Sequence, residues 1–216
     1  MGNLEDKFII DDEIKNFPQI IYMQEFLIGH PGIIAGGCFK SAFTGDRPHD
    51  IDMFFRNQAD FHATVAYFKK KEEEYTIGYS NKNVESFIHK RTGTRIECIK
   101  KIFGSPEQII DQFDFTITKF AYEIEAIPPE DEEDSWSYES RIVYHPFFFE
   151  HLLMKRLVVD GNMPYPVSTL NRTYKYAKSG YFPCRETKLK IIKAIQSLEN
   201  SIGENDLADA MYEGHD

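Results

Sequence analysis

Asp50-Ile51-Asp52 opens an apolar run that continues as Met53-Phe54-Phe55. On a strand, residues i and i+2 point to one face. Asp50 and Asp52 then project side by side while Ile51 faces the core. Two carboxylates held that close repel each other, and a divalent cation is the usual remedy. Mg²⁺ takes carboxylate oxygens and substrate phosphates together. Upstream, Gly36-Gly37 follows the apolar run Ile33-Ile34-Ala35. Paired glycines let a phosphate approach the backbone and the N-terminus of the helix expected behind them. Lys40 and Ser41 fall in the first turns of that helix, a charge and a hydroxyl donor within reach of a triphosphate. Exposed helix residues would look the same. The turn Gly45-Asp46-Arg47-Pro48 then leads to the acidic pair.

Taken together, residues 36–55 resemble the signature of the polymerase-beta-like nucleotidyltransferase superfamily: Gly-Gly or Gly-Ser, a spacer, then Asp-x-Asp. Within it the likeness is strongest to the head domain of tRNA CCA-adding enzymes and bacterial poly(A) polymerases. Those read Gly-Gly-x-x-Arg-Asp, a Gly-containing turn, then Asp-Ile-Asp. Lys40-Ser41 stands here where that branch has Arg-Asp. The resemblance implies two divalent ions, Mg²⁺ or Mn²⁺, bridged by Asp50, Asp52 and a third acid on a neighbouring strand. Arg95-Ile96-Glu97 resembles that setting, which makes Glu97 the first choice; a surface ion pair with Arg95 is the alternative. The branch also carries Arg-Arg-Asp-Phe-Thr-Ile-Asn-Ala. Asp114-Phe115-Thr116-Ile117 matches its centre, with Gln112-Phe113 in place of the arginines. That likeness places Asp114 near the nucleotide and makes it the second choice for the third acid; a local cap is the alternative.

Residues 170–182 resemble the neck motif of the same enzymes. Arg172 fits its first Arg, Lys175 stands for the second, and Tyr176-Ala177 fits Phe-Ala. With Tyr174, these residues are implied to stack on or bond the base; core aromatics and helix-surface charges are the alternative. The Glu-Asp-x-x-Arg template that reads the incoming base is absent from the sequence. The resemblance therefore implies transfer of a nucleoside monophosphate from a nucleoside triphosphate to an RNA, protein or small-molecule acceptor, with release of pyrophosphate and without faithful C-C-A addition. The competing readings are a catalytically lapsed nucleotide-binding module and an interaction protein using the same fold.

The elements that must position these residues read as an α+β chain: a mixed sheet core with flanking helices over 1–145 and a helical layer over 146–216. A helix is expected over 18–28, since Pro18 suits a first turn and Ile20, Ile21, Leu27 and Ile28 fall at helical spacing. Strands are expected at 33–35, 50–56, 75–79, 84–89 and 94–100. In the last of these, Arg95, Glu97 and Ile99 share one face, Ile96 and Cys98 the other. Residues 58–74 read as an amphipathic helix, and Ser105-Pro106-Glu107 as a helix start. One long strand is expected over 114–127, an acidic hairpin tip at 130–134, and a return strand over 138–144. Residues 145–159, a helix over 169–179 capped by Ser168, and a helix over 186–198 follow, with an acidic tail from Gly203.

The chain has 216 residues and 42% hydrophobic content, enough for one sizeable core with a small appended one. A net charge of −10 argues against broad nonspecific nucleic-acid binding. Cys38, Cys98 and Cys184 are odd in number and lack metal-ligand spacing, as expected of reduced thiols in a cytoplasm. No run reaches transmembrane length, and Gly2 lacks the Ser or Thr a myristoylation signal wants, Asp6 standing there. No membrane is expected as a partner. Oligomeric state is not encoded in any pattern of the sequence.

Overall fold

In the computed structural model, residues 4–129, 136–161 and 163–198 are described. The expected acidic tip at 130–134 and the tail from Gly203 lie outside them. The chain divides into two compact units: Met1–Asp111 with Thr118–Pro146, and Gln112–Ile117 with Phe147–Asp216.

The first unit is built on β1 (Ile9–Asp11), β2 (Ile33–Ala35), α1 (Gly37–Phe43), β3 (Asp50–Phe55), α2 (Gln58–Lys70), β4 (Tyr75–Ser80), β5 (Val84–His89), β6 (Arg95–Phe103), α3 (Pro106–Asp111), β7 (Phe120–Ile127) and β8 (Ser137–Tyr144). The strands form one mixed sheet in the order β1-β8-β7-β2-β3-β6-β5-β4. β3 runs parallel to β6 and the other neighbours are antiparallel. Ile51, Met53 and Phe55 alternate along β3 and are fully buried, while Asp50 and Asp52 take the opposite face. The helices are held on by aromatics: Phe39 of α1 lies 4.5 Å from Phe120, and Phe68 of α2 lies 5.1 Å from Phe87, centroid to centroid. Both α2 and α3 start at side-chain caps. Asn57 accepts from the Asp60 N–H at 3.0 Å. Ser105 and Gln108 form a reciprocal capping box, the Ser105 N–H donating to Gln108 Oε1 at 2.9 Å and the Gln108 N–H to Ser105 Oγ at 3.4 Å.

Residues 18–28 depart from the expected α-helix. Pro18–Phe26 is a 3₁₀ helix whose buried side chains are Ile20, Met23 and Phe26. That spacing of three is the 3₁₀ repeat, and it leaves Ile21 and Ile28 at the surface. The long strand over 114–127 is also corrected: Phe120–Ile127 is strand, but Thr116–Thr118 is a single 3₁₀ turn. The Asp114 side chain accepts the Phe115 N–H there, a local bond that competes with a strand ladder.

The second unit contains α4 (Phe148–Leu153), β9 (Arg156–Leu157), α5 (Pro166–Ala177), β10 (Phe182–Pro183) and α6 (Arg185–Leu198). β9 and β10 pair in parallel. α4 stops short of Val159 because Lys155 adopts φ 52°, a left-handed conformation that ends the helix. Ser168 is not a cap: α5 begins at Pro166, and Ser168 is buried inside it. Phe115 bridges to Val159, whose N–H donates to Thr187 Oγ1 of α6 at 3.1 Å. No described helix is long and apolar enough to cross a membrane.

Candidate functional site

Asp50, Asp52, Arg95 and Glu97 lie on one face of the two parallel strands at the middle of the sheet. The register sets Asp50 opposite Arg95 and Asp52 opposite Glu97. Parallel strands lie about 4.8 Å apart, so Asp52 and Glu97 are immediate neighbours. Burial deepens along the row: the Asp50 side chain is 55% exposed, Asp52 is half-buried, and Glu97 is 5% exposed.

The carboxylates carry partners that the sequence reading did not anticipate. Arg95 Nη1 pairs with Asp50 Oδ1 at 3.2 Å rather than with Glu97. The Tyr79 hydroxyl donates to Glu97 Oε1 at 2.7 Å, and the Arg95 guanidinium lies 5.8 Å from the Tyr79 ring centre. Burial, and then the Glu97 carboxylate, push the Tyr79 hydroxyl up to about 12. It therefore remains a proton donor at physiological pH. Tyr79 reaches this face through an irregularity in β4. The β4–β5 register shifts between Ile77 and Ser80, and Ser86 Oγ accepts from the Tyr79 N–H at 2.7 Å. A Cβ on Gly78 would lie 2.4 Å from that same Oγ. Glycine inside a strand pattern marks a bulge or a close backbone approach, so Gly78 was the available signal for Tyr79.

Beside the acids, β2 ends at Ala35 and the chain turns through Gly36 at φ 101°, ψ −146°. L side chains rarely adopt that conformation. The Gly36 N–H donates to the Phe120 carbonyl at 3.0 Å. Gly37 opens α1, and Lys40 and Ser41 are half-buried on it. α1 has only seven residues, so a phosphate cradle here depends on the glycine backbone, not on a long helix dipole. Cys38 lies beneath; burial, and then the Asp52 charge, hold its thiol well above the ordinary range. Cys38, Cys98 and Cys184 are all free.

Asp114, Arg172, Lys175 and Tyr176 belong to the second unit. Asp114 is buried; its Oδ1 accepts the Phe115 N–H at 2.8 Å and its Oδ2 lies 3.6 Å from Arg172 Nη1. It thus makes the local cap and also meets the arginine of the neck-like segment. Tyr176 is buried edge-on against Phe115, centroids 5.7 Å apart. Lys175 and Tyr174 are exposed on α5.

Carboxylate oxygens are the ligands Mg²⁺ and Mn²⁺ prefer, and three share one sheet face beside a glycine turn. The Arg95 guanidinium against Asp50 is a positive charge on that face. The donor set is of the type a divalent cation takes. Among the described residues no three His, Cys, Asp or Glu side chains converge on a ready-made metal position; Arg95 and Tyr79 hold two of the acids instead.

The sequence profile of the Gabija anti-defense 2 family matches residues 10–155. The chain belongs to that family. The "Gabija anti-defense 2" protein of Bacillus phage SPbetaL7 is 24% identical over 175 residues, 81% of this chain and 40% of that protein. The chain thus spans less than half of that curated relative. Among solved structures, the Thermotoga maritima CCA-adding enzyme complexed with tRNA superposes with a TM-score of 0.57 at 17% identity, covering 96% of this chain and 52% of the enzyme. A CCA-adding enzyme in complex with ATP gives 0.58 at 17%, covering 96% and 51%. Identity that low shows fold. The fold is the polymerase-beta-like nucleotidyltransferase fold that the Gly-Gly and Asp-x-Asp pattern implied.

Proposed function

We propose that this family member is a metal-dependent nucleotidyltransferase. It moves a nucleoside monophosphate from a nucleoside triphosphate to an acceptor, releases pyrophosphate, and thereby counters Gabija defence in the cytoplasm. The observation that carries this is the register: Asp52 opposite Glu97, with Asp50 on the same face, beside the Gly36 turn. Asp50, Asp52 and Glu97 would hold Mg²⁺ or Mn²⁺. When bound, the metal would neutralise phosphate charge and lower the pKa of the acceptor oxygen. Gly36 and Gly37 admit the triphosphate to the backbone, while Lys40 and Ser41 supply a charge and a hydroxyl. Glu97, whose Oε1 accepts a hydrogen bond from the Tyr79 hydroxyl, would accept one from an acceptor hydroxyl as well. Within the second unit Asp114 and Arg172 form a charged pair; the resemblance to the CCA-adding enzymes implies sugar or base contacts for them, for Lys175 and for Tyr174. The acceptor class is RNA, protein or a small molecule.

A second reading is favoured by one observation. Asp50 and Glu97 are held by Arg95 and Tyr79, as expected of a nucleotide-binding module whose chemistry has lapsed. The test incubates the chain with each α-labelled nucleoside triphosphate, Mg²⁺ or Mn²⁺, and a cell extract. Pyrophosphate release with label on a discrete species, lost in Asp50→Asn with Asp52→Asn, is expected. Metal-strengthened nucleotide binding without transfer selects the second reading. Nucleotide binding that ignores both metal and the two substitutions would refute the metal site.

A further inference from the structure

A second site lies in the first unit, away from the carboxylates. β2 contributes only Ile33, Ile34 and Ala35, which pair with Glu123, Tyr122 and Ala121 of β7. Beyond Glu123, β7 continues through Ile124–Ile127 with β8 as its strand partner on one side. On the other side the chain leaves the sheet through Gly29, His30, Pro31 and Gly32. A cavity of about 1140 Å³ occupies this gap, lined both by Gly29–Ile33 and by Ile124, Glu125 and Ala126. It opens at the end of β2 opposite Gly36.

Its charge is one-sided. Glu5, Asp60, Glu107, Glu123 and Glu125 line it against Arg56 and Arg141. The two arginines are matched by two of these acids, Arg56 Nη2 reaching Glu123 at 2.7 and 2.9 Å and Arg141 pairing with Glu107, so the acidic excess rests on Glu5, Asp60 and Glu125. The two faces of the strand edge also differ. Glu125 lies on one face; Ile124 and Ala126 lie on the other, where Tyr138 stands opposite Ala126. Trp136, 58% exposed, lines the same cavity.

We propose that this edge binds an extended basic segment of a partner protein as an added strand on β7. Unpaired strand edges recognise peptides through main-chain hydrogen bonds, with alternate side chains read by the two faces. Residues directly opposite each other in a sheet share a face. The segment's residue opposite Glu125 is therefore Lys or Arg, and those opposite Ile124 and Ala126 are apolar. The ligand is an alternating basic and apolar strand. This site stands whether or not the carboxylates transfer nucleotides.

The test uses the full chain and a fluorescein-labelled Lys-Val-Arg-Ile-Lys-Val-Arg peptide. Two controls accompany it: the same residues with the basic ones in a block, and the alternating peptide with Glu for Lys and Arg. Trp136 is the one tryptophan of the sequence, so its emission reports occupancy directly. The alternating basic peptide is expected to bind best and to shift Trp136 emission. Glu125→Lys and Ala126→Arg, both at exposed positions, each weaken it about tenfold; far-ultraviolet dichroism checks their folding. Equal binding of the blocked peptide would mean general attraction to an acidic chain and would overturn the proposal. So would failure to bind, or sedimentation showing a dimer that the peptide does not dissociate, which would assign the edge to a second copy.

Discussion

Tyr79 and Arg95 decide how the acidic face behaves. The Tyr79 hydroxyl is a donor spent on Glu97, and the Arg95 charge is spent on Asp50. A metal ion at the acids competes with both. Tyr79→Phe removes one competitor and leaves the ring in place. It should tighten Mn²⁺ binding, measured by calorimetry with a non-hydrolysable triphosphate present, by about fivefold, since one such hydrogen bond is worth about 1 kcal/mol. Unchanged affinity would show that Glu97 does not face the ion. His30 gives a second expectation at this scale. Its ring lies against Tyr67 and Phe68, 4.9 and 4.8 Å between centroids. Burial lowers its pKa to about 4, with the Lys71 charge acting the same way and a hydrogen bond to the Phe26 backbone opposing. Between pH 6.5 and 4 the unfolded chain binds a proton that the folded chain refuses. Stability is therefore full above pH 6.5 and falls as pH drops through that window, by about 3 kcal/mol in all. Urea unfolding at a series of pH values reads this directly. His30→Leu should flatten the slope, and an unaltered slope would assign it to His89 and His151, which burial also lowers.

At the scale of elements, α3 is tied to the sheet by charge. Glu107 is buried, takes the Ser105 hydroxyl at 2.7 Å, and pairs with Arg141 of β8. Arg141 also lies 3.5 Å from Glu123, which Arg56 holds from just beyond the end of β3. Removing one partner leaves a buried carboxylate uncompensated. Arg141→Ala should cost about 2 to 3 kcal/mol in urea unfolding, less than for a fully dry pair because Arg141 is partly solvated. Replacing Arg141 and Glu107 together by Met should recover most of the loss. A double variant as unstable as the single one would show that packing, not charge, holds α3. The elements legible in the sequence were those whose burial follows one period. Over residues 50–53 β3 alternates, so Asp50 and Asp52 share one face opposite Ile51 and Met53, although Phe54 on their face is buried as well. Glu97 was suggested only by the resemblance of Arg95-Ile96-Glu97 to the third-acid strand of the nucleotidyltransferases; its burial beside Ile96 and Cys98 breaks the alternation of β6. The 3₁₀ helix hid behind Ile21 and Ile28, apolar residues that stay in solvent and suggest a period the backbone does not follow. Tyr79 was hidden because a bulge, not the strand period, aims it.

At the scale of the whole chain, charge limits what the fold can grip. The superposed CCA-adding enzymes are about twice as long as this chain, and one of them is complexed with tRNA. Affinity for a phosphate backbone comes largely from neutralising phosphates with Lys and Arg. These 216 residues carry 35 acidic and 25 basic side chains. They also lack the Glu-Asp-x-x-Arg pattern that reads a base edge. By itself the chain should therefore not add a fixed C-C-A to a tRNA lacking its 3′ end. Any nucleotide choice should instead be looser or differently directed. Incubation with such a tRNA, CTP, ATP and Mg²⁺, followed by sequencing of the 3′ ends, measures this. Faithful C-C-A ends that disappear with Asp52→Asn would show that the short chain holds both template and grip. The expected outcome is no C-C-A ends and, once a cell extract supplies other acceptors, transfer of a single nucleotide type to one of them. That transfer would ask of the acids at β3 and β6 only a metal ion, a triphosphate and a hydroxyl, whereas a template needs side chains this sequence does not contain.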